Sequence, residues 1–317
     1  MTVRGRLAPS PTGALHLGNA RTFLLGWLSI RARGGHVVLR IEDLDGPRVK
    51  ADAEAAAVSD LRWLGLDWDE GPVRQTDRLD AYRGAIERLV AQGVAYPCVC
   101  TRSEIERAAS APHADEHETR YPGTCRGRFP TREEAERASG RPAALRFVAP
   151  DGPVAFEDAV RGPVSFDPSR ECGDFVIEKG NRTPAYQLAC VVDDAAMEIG
   201  EVLRGDDLLP STARQIQLQR ALGLPTPRYA HPPLVVGEDG RRLAKRHGDT
   251  TIRAFREMGA RPEAVVGWLA SISGLALPEA RTLPRDLVSG FELARVPKTP
   301  QVVTSSCLAA RRADWIR

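Results

Sequence analysis

The sequence has 317 residues, of which 42% are hydrophobic, and a formal net charge of +2 at pH 7. This length and composition are typical of a globular protein with a full core, arranged as one large domain or two. The near-neutral charge permits a polyanionic partner without requiring one. No apolar run approaches the length of a membrane span, and the chain begins with a predicted strand rather than a signal peptide.

The cysteines are unevenly spaced, which in a chain of this length does not indicate a disulfide framework. We therefore expect a cytoplasmic protein with reduced thiols. The six positions are Cys98, Cys100, Cys125, Cys172, Cys190 and Cys307.

The first informative segment predicts a strand, a rigid loop and a helix. Residues 3–7 are typical of a short strand, and Pro9 and Pro11 then forbid regular structure. From about Gly18 the apolar residues have helical spacing.

His16, Gly18 and Asn19 lie where this helix opens. The free N–H groups and the positive dipole end of a helix form an anion site, which Gly18 leaves open to a ligand and to which His16 adds a donor. No Walker loop is present. The alternative is a proline-rich turn with His16 as an ordinary surface residue.

The whole run from Arg6 to Arg21 resembles the ATP-binding signature of class I aminoacyl-tRNA synthetases, and its prefix resembles the glutamyl and glutaminyl branch. The resemblance implies that His16, Gly18 and Asn19 bind ATP, with His16 and Asn19 catalytic. It implies that the prefix binds glutamate through Arg6, Ala8, Pro9 and Ser10.

A second predicted strand, residues 36–43, completes a βαβ unit and ends in Glu42 and Asp43. Ligands bind at the carboxyl ends of such strands, although a solvated strand end is the alternative. In the family that the first signature resembles, the acid matching Glu42 binds the α-ammonium group of the amino acid. Helices are predicted over residues 50–64 and 77–92, and the intervening turn also resembles this family.

Cys98 and Cys100, with Cys125 within thirty residues, can coordinate one tetrahedral metal ion. This spacing favours zinc. Unliganded buried thiols are the alternative. Chemistry alone favours His113 or His117 as a fourth ligand.

The amino-acid sequences of the two cysteine segments suggest a different fourth ligand. Tyr96-Pro-Cys-Val-Cys and Tyr121-Pro-Gly-Thr-Cys resemble the branch of the family that attaches glutamate to queuosine in tRNA(Asp). That resemblance implies zinc held by Cys98, Cys100, Cys125 and Tyr121.

Residues 143–180 alternate apolar and polar between breaks, which predicts a small antiparallel patch with a hairpin. Three runs are then expected to return the chain to the main sheet, and a helix follows them. The runs cover residues 174–178, 184–194 and 201–207, and the helix covers residues 211–222.

Tyr186 begins the second of these runs and Arg204 ends a strand within the third. A core tyrosine and a solvated arginine are the alternatives. The resemblance implies that both residues hold glutamate, and that Arg204 selects its side-chain carboxylate by a bidentate pair.

The segment from His231 to Arg246 contains a predicted hairpin turn followed by Arg242-Leu-Ala-Lys-Arg. It resembles the second ATP signature of class I synthetases, the Lys-Met-Ser-Lys-Ser loop, which implies that Arg242 and Lys245 bind ATP, with Lys245 catalytic. Ala244 stands where the family has serine. A basic loop alone is usually a solvated surface.

Two more helices are predicted over residues 251–276, and the pattern then weakens. Only 71 residues follow Arg246, where ordinary glutamyl-tRNA synthetases continue into an anticodon-binding region. We therefore expect a short helical stub there.

The sequence thus predicts an α/β fold, a Rossmann-like class I catalytic domain with a zinc-bearing insertion and a short helical C-terminal region. The expected division is a first catalytic half, the insertion, a second catalytic half and the stub, over residues 1–95, 96–172, 173–250 and 251–317.

The implied function is activation of glutamate by ATP and Mg²⁺ without tRNA, followed by transfer of glutamate to queuosine at the anticodon wobble position of tRNA(Asp). Zn²⁺ is the further expected cofactor, and no membrane or required protein partner is indicated. The alternatives are an ordinary glutamyl-tRNA synthetase core and an inactive nucleotide- or RNA-binding paralogue.

Overall fold

A computed structural model of the chain describes residues 3–46, 49, 52–108, 119–243 and 250–316. The strands, in chain order, are β1 (Arg4–Leu7), β2 (His36–Ile41), β3 (Glu70–Arg74), β4 (Ala95–Cys98), β5 (Ala144–Phe147), β6 (Val154–Asp158), β7 (Gly162–Phe166), β8 (Phe175–Glu178), β9 (Glu201–Leu203), β10 (Arg228–Ala230), β11 (Val235–Val236) and β12 (Gln301–Val302). The helices are α1 (Leu17–Arg31), α2 (Ala53–Trp63), α3 (Leu79–Ala91), α4 (Arg102–Ala108), α5 (Arg132–Ser139), α6 (Pro168–Glu171), α7 (Tyr186–Ala196), α8 (Leu209–Leu222), α9 (Ile252–Glu257), α10 (Pro262–Ser271), α11 (Pro284–Leu287) and α12 (Ser305–Ile316).

The main sheet has seven strands in the order β3-β2-β1-β9-β10-β6-β7, and every neighbouring pair except β6 and β7 is parallel. Leu7 pairs with Leu39, and Leu203 pairs with Ala230. The carboxyl ends of β1, β2, β9 and β10 therefore meet at one edge, where ligands bind in parallel α/β sheets.

Several local predictions are confirmed, namely the strand at residues 4–7, the helix that opens near Gly18, and the helices at 53–63, 79–91 and 209–222. The last of these ends at Gly223, whose φ of +64° is left-handed, as expected of a helix C-cap.

The predicted antiparallel hairpin is confirmed as β6 and β7, which extend the main sheet through the β6–β10 pair. Two predictions in the second half of the chain are wrong. Residues 175–178 join the antiparallel sheet β4-β5-β8, and residues 186–196 form helix α7. A short apolar run does not distinguish a buried strand from a buried helix, and α7 is helical where it packs against α3 and α8.

The C-terminal residues pack against α1, α9 and α10. β12 pairs with β11, and the ring of Trp315 lies 4.9 Å from that of Phe255 and 5.5 Å from that of Trp268. Trp268 and Trp315 share one buried cluster with Leu24 and other residues of α1. Within the described part of the chain, no helix is long and apolar enough to span a bilayer.

Arg40 on β2 is the centre of a buried ion network. Its side chain has no solvent exposure, and its guanidinium lies 2.6 Å from Asp194 and 3.0 Å from Glu42. Asp194 and its neighbour Asp193 belong to α7, so these contacts join the strand to that helix. Removing one partner of such a network leaves buried charge without compensation.

We expect Arg40→Met to lower the free energy of unfolding by about 3–5 kcal/mol, because buried carboxylates lose their counter-charge. Urea denaturation measures this loss. Arg74→Met is the matched control, since Arg74 pairs with Glu54 at 2.7 Å with side chains 46% and 26% exposed. It should leave the free energy of unfolding nearly unchanged, because an exposed ion pair contributes little. Equal losses in the two variants would contradict the role given to the buried network.

Candidate active site

A cavity of about 600 Å³ opens at the carboxyl ends of β1, β2 and β9. Its lining includes every predicted ATP or glutamate residue that lies within the described part of the chain. These residues are Arg6, Ala8, Pro9, Ser10, His16, Gly18, Asn19, Glu42, Tyr186, Arg204 and Arg242. Lys245 and Ala244 lie outside the described residues.

One wall of the cavity is the opening of α1, where His16 has an extended conformation as the N-cap residue. The first turn of a helix presents N–H groups that have no acceptor within the helix. A Cβ placed on Gly18 would meet only Val235, at 3.8 Å, so the backbone there is open to a ligand.

The same wall is fastened to the chain that follows the second signature. His16 forms a β-bridge with Thr251, and the N–H of Leu17 donates to the carbonyl of Thr250 at 3.0 Å. The hydroxyl of Thr250 lies 3.4 Å from Nδ1 of His16. These contacts hold the opening of α1 against residues 250 and 251.

The cavity lining also includes Arg204, whose guanidinium is buried. Its Nε donates to Nε2 of His231 at 3.1 Å, and Nη2 donates to the hydroxyl of Thr212 at 2.8 Å. Nη1 lies 3.4 Å from the hydroxyl of Tyr186, which is 36% exposed and lines the cavity. The edge formed by Nη1 and Nη2 is therefore the one left for a carboxylate in the cavity.

Glu42 lines the cavity and contributes a negative charge. One of its oxygens accepts from Arg40 at 3.0 Å and lies 3.6 Å from the sulfur of Cys190. Arg6 is oriented by Asp194, 3.6 Å from its Nε, and by the carbonyl of Leu203, to which its Nη1 donates at 3.2 Å. The cavity thus offers both an anion-binding and a cation-binding group.

Three residues around the cavity were missed by sequence reasoning, namely Asp207, Thr212 and His231. Asp207 lines the cavity and accepts from Arg242 at 3.1 Å. His231 follows β10 directly, and that position at a strand end was the available signal. Thr212 gave no signal, because a threonine in a helix is ordinary.

A second candidate site is the cysteine cluster, which is a possible metal site. The sulfurs of Cys98, Cys100 and Cys125 all lie within 4.8 Å of one another. The hydroxyl of Tyr121 lies 3.3 Å from the sulfur of Cys98 and 3.8 Å from that of Cys100. Three sulfurs and one oxygen converge, which is the donor number of a tetrahedral site.

The surroundings of the cluster fix its ligand candidates in place. Arg146 lies 3.7 Å from the centre of the Tyr121 ring and donates to the sulfur of Cys98 at 3.3 Å. The tyrosine hydroxyl also accepts from the N–H of Cys125 at 2.9 Å. His113 and His117, the other candidates for a fourth ligand, lie outside the described residues.

The comparison with protein families decides the class of the chain. Residues 2–294 match the family described as "tRNA synthetases class I (E and Q), catalytic domain".

The chain belongs to this family of synthetases. Membership makes it a ligase with the class I α/β catalytic fold, as its parallel sheet also indicates.

Two curated relatives and one solved structure are similar over most of the chain. A glutamyl-Q tRNA(Asp) synthetase of Symbiobacterium thermophilum is 49% identical, over 96% of this chain and 97% of the relative. A glutamate–tRNA ligase of Pelobacter propionicus is 40% identical, over 99% of this chain and 66% of the relative. The crystal structure of a glutamate tRNA ligase from Elizabethkingia meningosepticum, in complex with its amino acid, has a TM-score of 0.82 at 29% identity. The match covers all of this chain and 69% of the chain in that structure.

Proposed function

We propose that the protein activates glutamate with ATP, without tRNA, and transfers it to queuosine at the wobble position of tRNA(Asp). The observation that carries the activation step is the single cavity in which Arg204 and Glu42 lie beside the opening of α1. Such a cavity can bind an amino acid with an acidic side chain next to a polyphosphate.

On the amino-acid side, Glu42 receives the α-ammonium group and Arg204 receives the side-chain carboxylate. Tyr186 and Arg6 complete the pocket, and the backbone and side chains of residues 8–10 close it from the β1 loop. The positive charge of Arg204 and the negative charge of Glu42 fix the orientation of glutamate. The α-carboxylate then points toward the nucleotide.

On the nucleotide side, His16, Gly18 and Asn19 bind ATP at the opening of α1, and Arg242 adds positive charge to the same cavity. Lys245, which lies outside the described residues, is assigned to the phosphates from its place in the second signature. An oxygen of the α-carboxylate of glutamate forms a bond to the α-phosphorus of ATP. The bond between that phosphorus and the leaving pyrophosphate breaks. Mg²⁺ balances the phosphate charges when it is bound. Positioning and charge stabilisation account for the catalysis, because no side chain forms a covalent bond in this step.

The choice of acceptor is supported by the relatives. Those named glutamyl-Q tRNA(Asp) synthetase reach 43–49% identity, and the match covers 94–97% of their own length in four species. Those named glutamate–tRNA ligase reach 40–43%, and this chain covers 63–67% of their length. The alternative is therefore charging of tRNA(Glu). The transfer reaction also places the protein in the cytoplasm, where tRNA is found.

We further propose that the cysteine cluster binds a structural zinc ion. The cluster lies in an insertion over residues 96–172, which separates two catalytic halves at 1–95 and 173–250. A C-terminal region at 251–317 follows the second half. Two sulfurs bound to zinc at about 2.3 Å lie about 3.8 Å apart. The sulfurs of Cys100 and Cys125 are 3.4 Å apart, which supports this assignment. Tyr121 is the fourth ligand in this proposal.

Protein purified without added metal should contain about one equivalent of zinc. Cys100→Ser should lower this content strongly, whereas Cys307→Ser should not, because Cys307 is exposed and outside the cluster. Metal analysis and thiol titration measure both effects. Metal-free protein with three freely titrating thiols would contradict the zinc proposal. A Tyr121→Phe variant with unchanged zinc affinity would remove only the fourth-ligand assignment.

Arg204→Leu should weaken glutamate binding by about 2–5 kcal/mol, because the buried side-chain carboxylate loses its partner. Glutamate-dependent pyrophosphate exchange measures the loss. Arg220→Leu, an exposed arginine near the end of α8, is the control and should behave as the wild type. Wild-type exchange in the Arg204 variant would refute glutamate selection by this residue.

Activation should proceed without tRNA, and transfer should require queuosine. Transcripts or tRNA(Asp) from cells that cannot make queuosine should not accept glutamate. The product should be released by mild base, and it should still form after periodate oxidation of the 3′ terminus. Charging of tRNA(Glu) that periodate abolishes would show an ordinary glutamyl-tRNA synthetase instead.

A further inference from the structure

Arg204 is held by one of its two hydrogen-bonding edges. The edge formed by Nε and Nη2 is occupied, by Nε2 of His231 at 3.1 Å and by the hydroxyl of Thr212 at 2.8 Å. A guanidinium can bind a carboxylate in two parallel bonds through either edge. Occupation of this edge leaves the edge of Nη1 and Nη2 as the bidentate one for a ligand.

This arrangement requires one tautomer of His231. Its Nε2 accepts from Arg204, so the proton of the neutral ring lies on Nδ1, which is 2.6 Å from Asp158. Burial lowers the pKa of His231, the hydrogen bond to Asp158 raises it, and the charge of Arg204 lowers it, with a net lowering. The ring is therefore neutral at pH 7.

Asp158 is in turn fixed by the backbone. Its Oδ1 accepts from the N–H groups of Val160, Arg161 and His231 at 3.0, 2.9 and 3.2 Å. Burial raises the pKa of this carboxyl, but the hydrogen bonds from His231 and the backbone outweigh it and lower the pKa. The charged Oδ2 is thus available to hold the Nδ1 proton of His231.

Asp158, His231 and Thr212 come from three different elements. His231 and Thr212 bind the guanidinium of Arg204, and Asp158 binds His231. Asp158 ends β6, His231 follows β10, and Thr212 lies in the first turns of α8. Both His231 and Thr212 have 0% exposure, so solvent does not replace their hydrogen bonds.

We infer that Asp158, His231 and Thr212 are positioning residues that select glutamate over glutamine, because they hold Arg204 with its Nη1–Nη2 edge toward the cavity. This inference rests on the proposed function, in which Arg204 binds the side-chain carboxylate. None of the three is expected to touch glutamate itself.

Asp158→Asn tests the tautomer. The Asn oxygen can keep the backbone bonds that Oδ1 makes, while its NH₂ group faces Nδ1 of His231. The imidazole proton then moves to Nε2 and opposes the N–H of Arg204. We expect the KM for glutamate to rise about 10- to 100-fold, with the KM for ATP unchanged and the preference for glutamate over glutamine reduced.

Thr212 provides a second variant pair in the same cluster, since its hydroxyl also lies 3.2 Å from Nε2 of His231. Thr212→Val removes the hydroxyl that accepts from Nη2 at nearly constant volume, and Thr212→Ser restores it. The valine variant should raise the KM for glutamate about 10-fold, and the serine variant should recover most of the wild-type value. Tyr229→Phe is the control, because it keeps the ring that stacks on His231 and removes only a hydroxyl bound to Gln219.

Three measurements separate the outcomes. Pyrophosphate exchange with glutamate and with glutamine measures selectivity, thermal melting measures folding, and ¹⁵N spectra of the imidazole report the tautomer of His231. A shift of the His231 proton from Nδ1 to Nε2 in Asp158→Asn, together with the loss of selectivity, supports the inference. Wild-type selectivity in folded Asp158→Asn and Thr212→Val overturns it and leaves the proposed function intact. Wild-type protein without glutamate-dependent exchange overturns the proposed function and the inference with it.

Discussion

The guanidinium of Arg40, which has no contact with solvent, joins β2 and the adjoining Glu42 to the helix that begins at Tyr186. Its charge must be balanced inside the protein, because an unpaired buried charge is strongly destabilising. Asp194 contributes to that balance and also lies 3.6 Å from Arg6. One buried network therefore sets the positions of Glu42, Arg6 and α7 together.

A second constraint comes from the parallel sheet. β1, β2, β9 and β10 end at one edge, so residues far apart in the chain reach the same cavity. The bridge between His16 and Thr251 joins the opening of α1 to the start of α9 at this edge. The result is a preformed cavity whose walls are held by two kinds of contact, buried ion pairs around Glu42 and Arg6 and backbone pairing at His16.

The two candidate sites differ in how far local sequence could predict them. The cysteine spacing predicted the cluster, because Cys98 and Cys100 are two residues apart in the chain and are therefore close in space in almost any conformation. The contacts that hold Arg204 could not be predicted in this way. His231 and Asp158 are 73 residues apart, and only the pairing of β10 with β6 brings them within 2.6 Å.

The sequence alone determined the strand, loop and helix around His16, the acidic end of β2, the cysteine cluster and the family resemblance, because each depends on residues close together in the chain. It gave a wrong account of residues 184–194, because a short apolar run suits a buried helix as well as a strand. Only the tertiary structure decided which groups bind the guanidinium of Arg204 and which counter-charges surround Arg40. Those outcomes depend on the order of strands in the sheet and on the need to pair every buried charge, and neither is written in a local pattern.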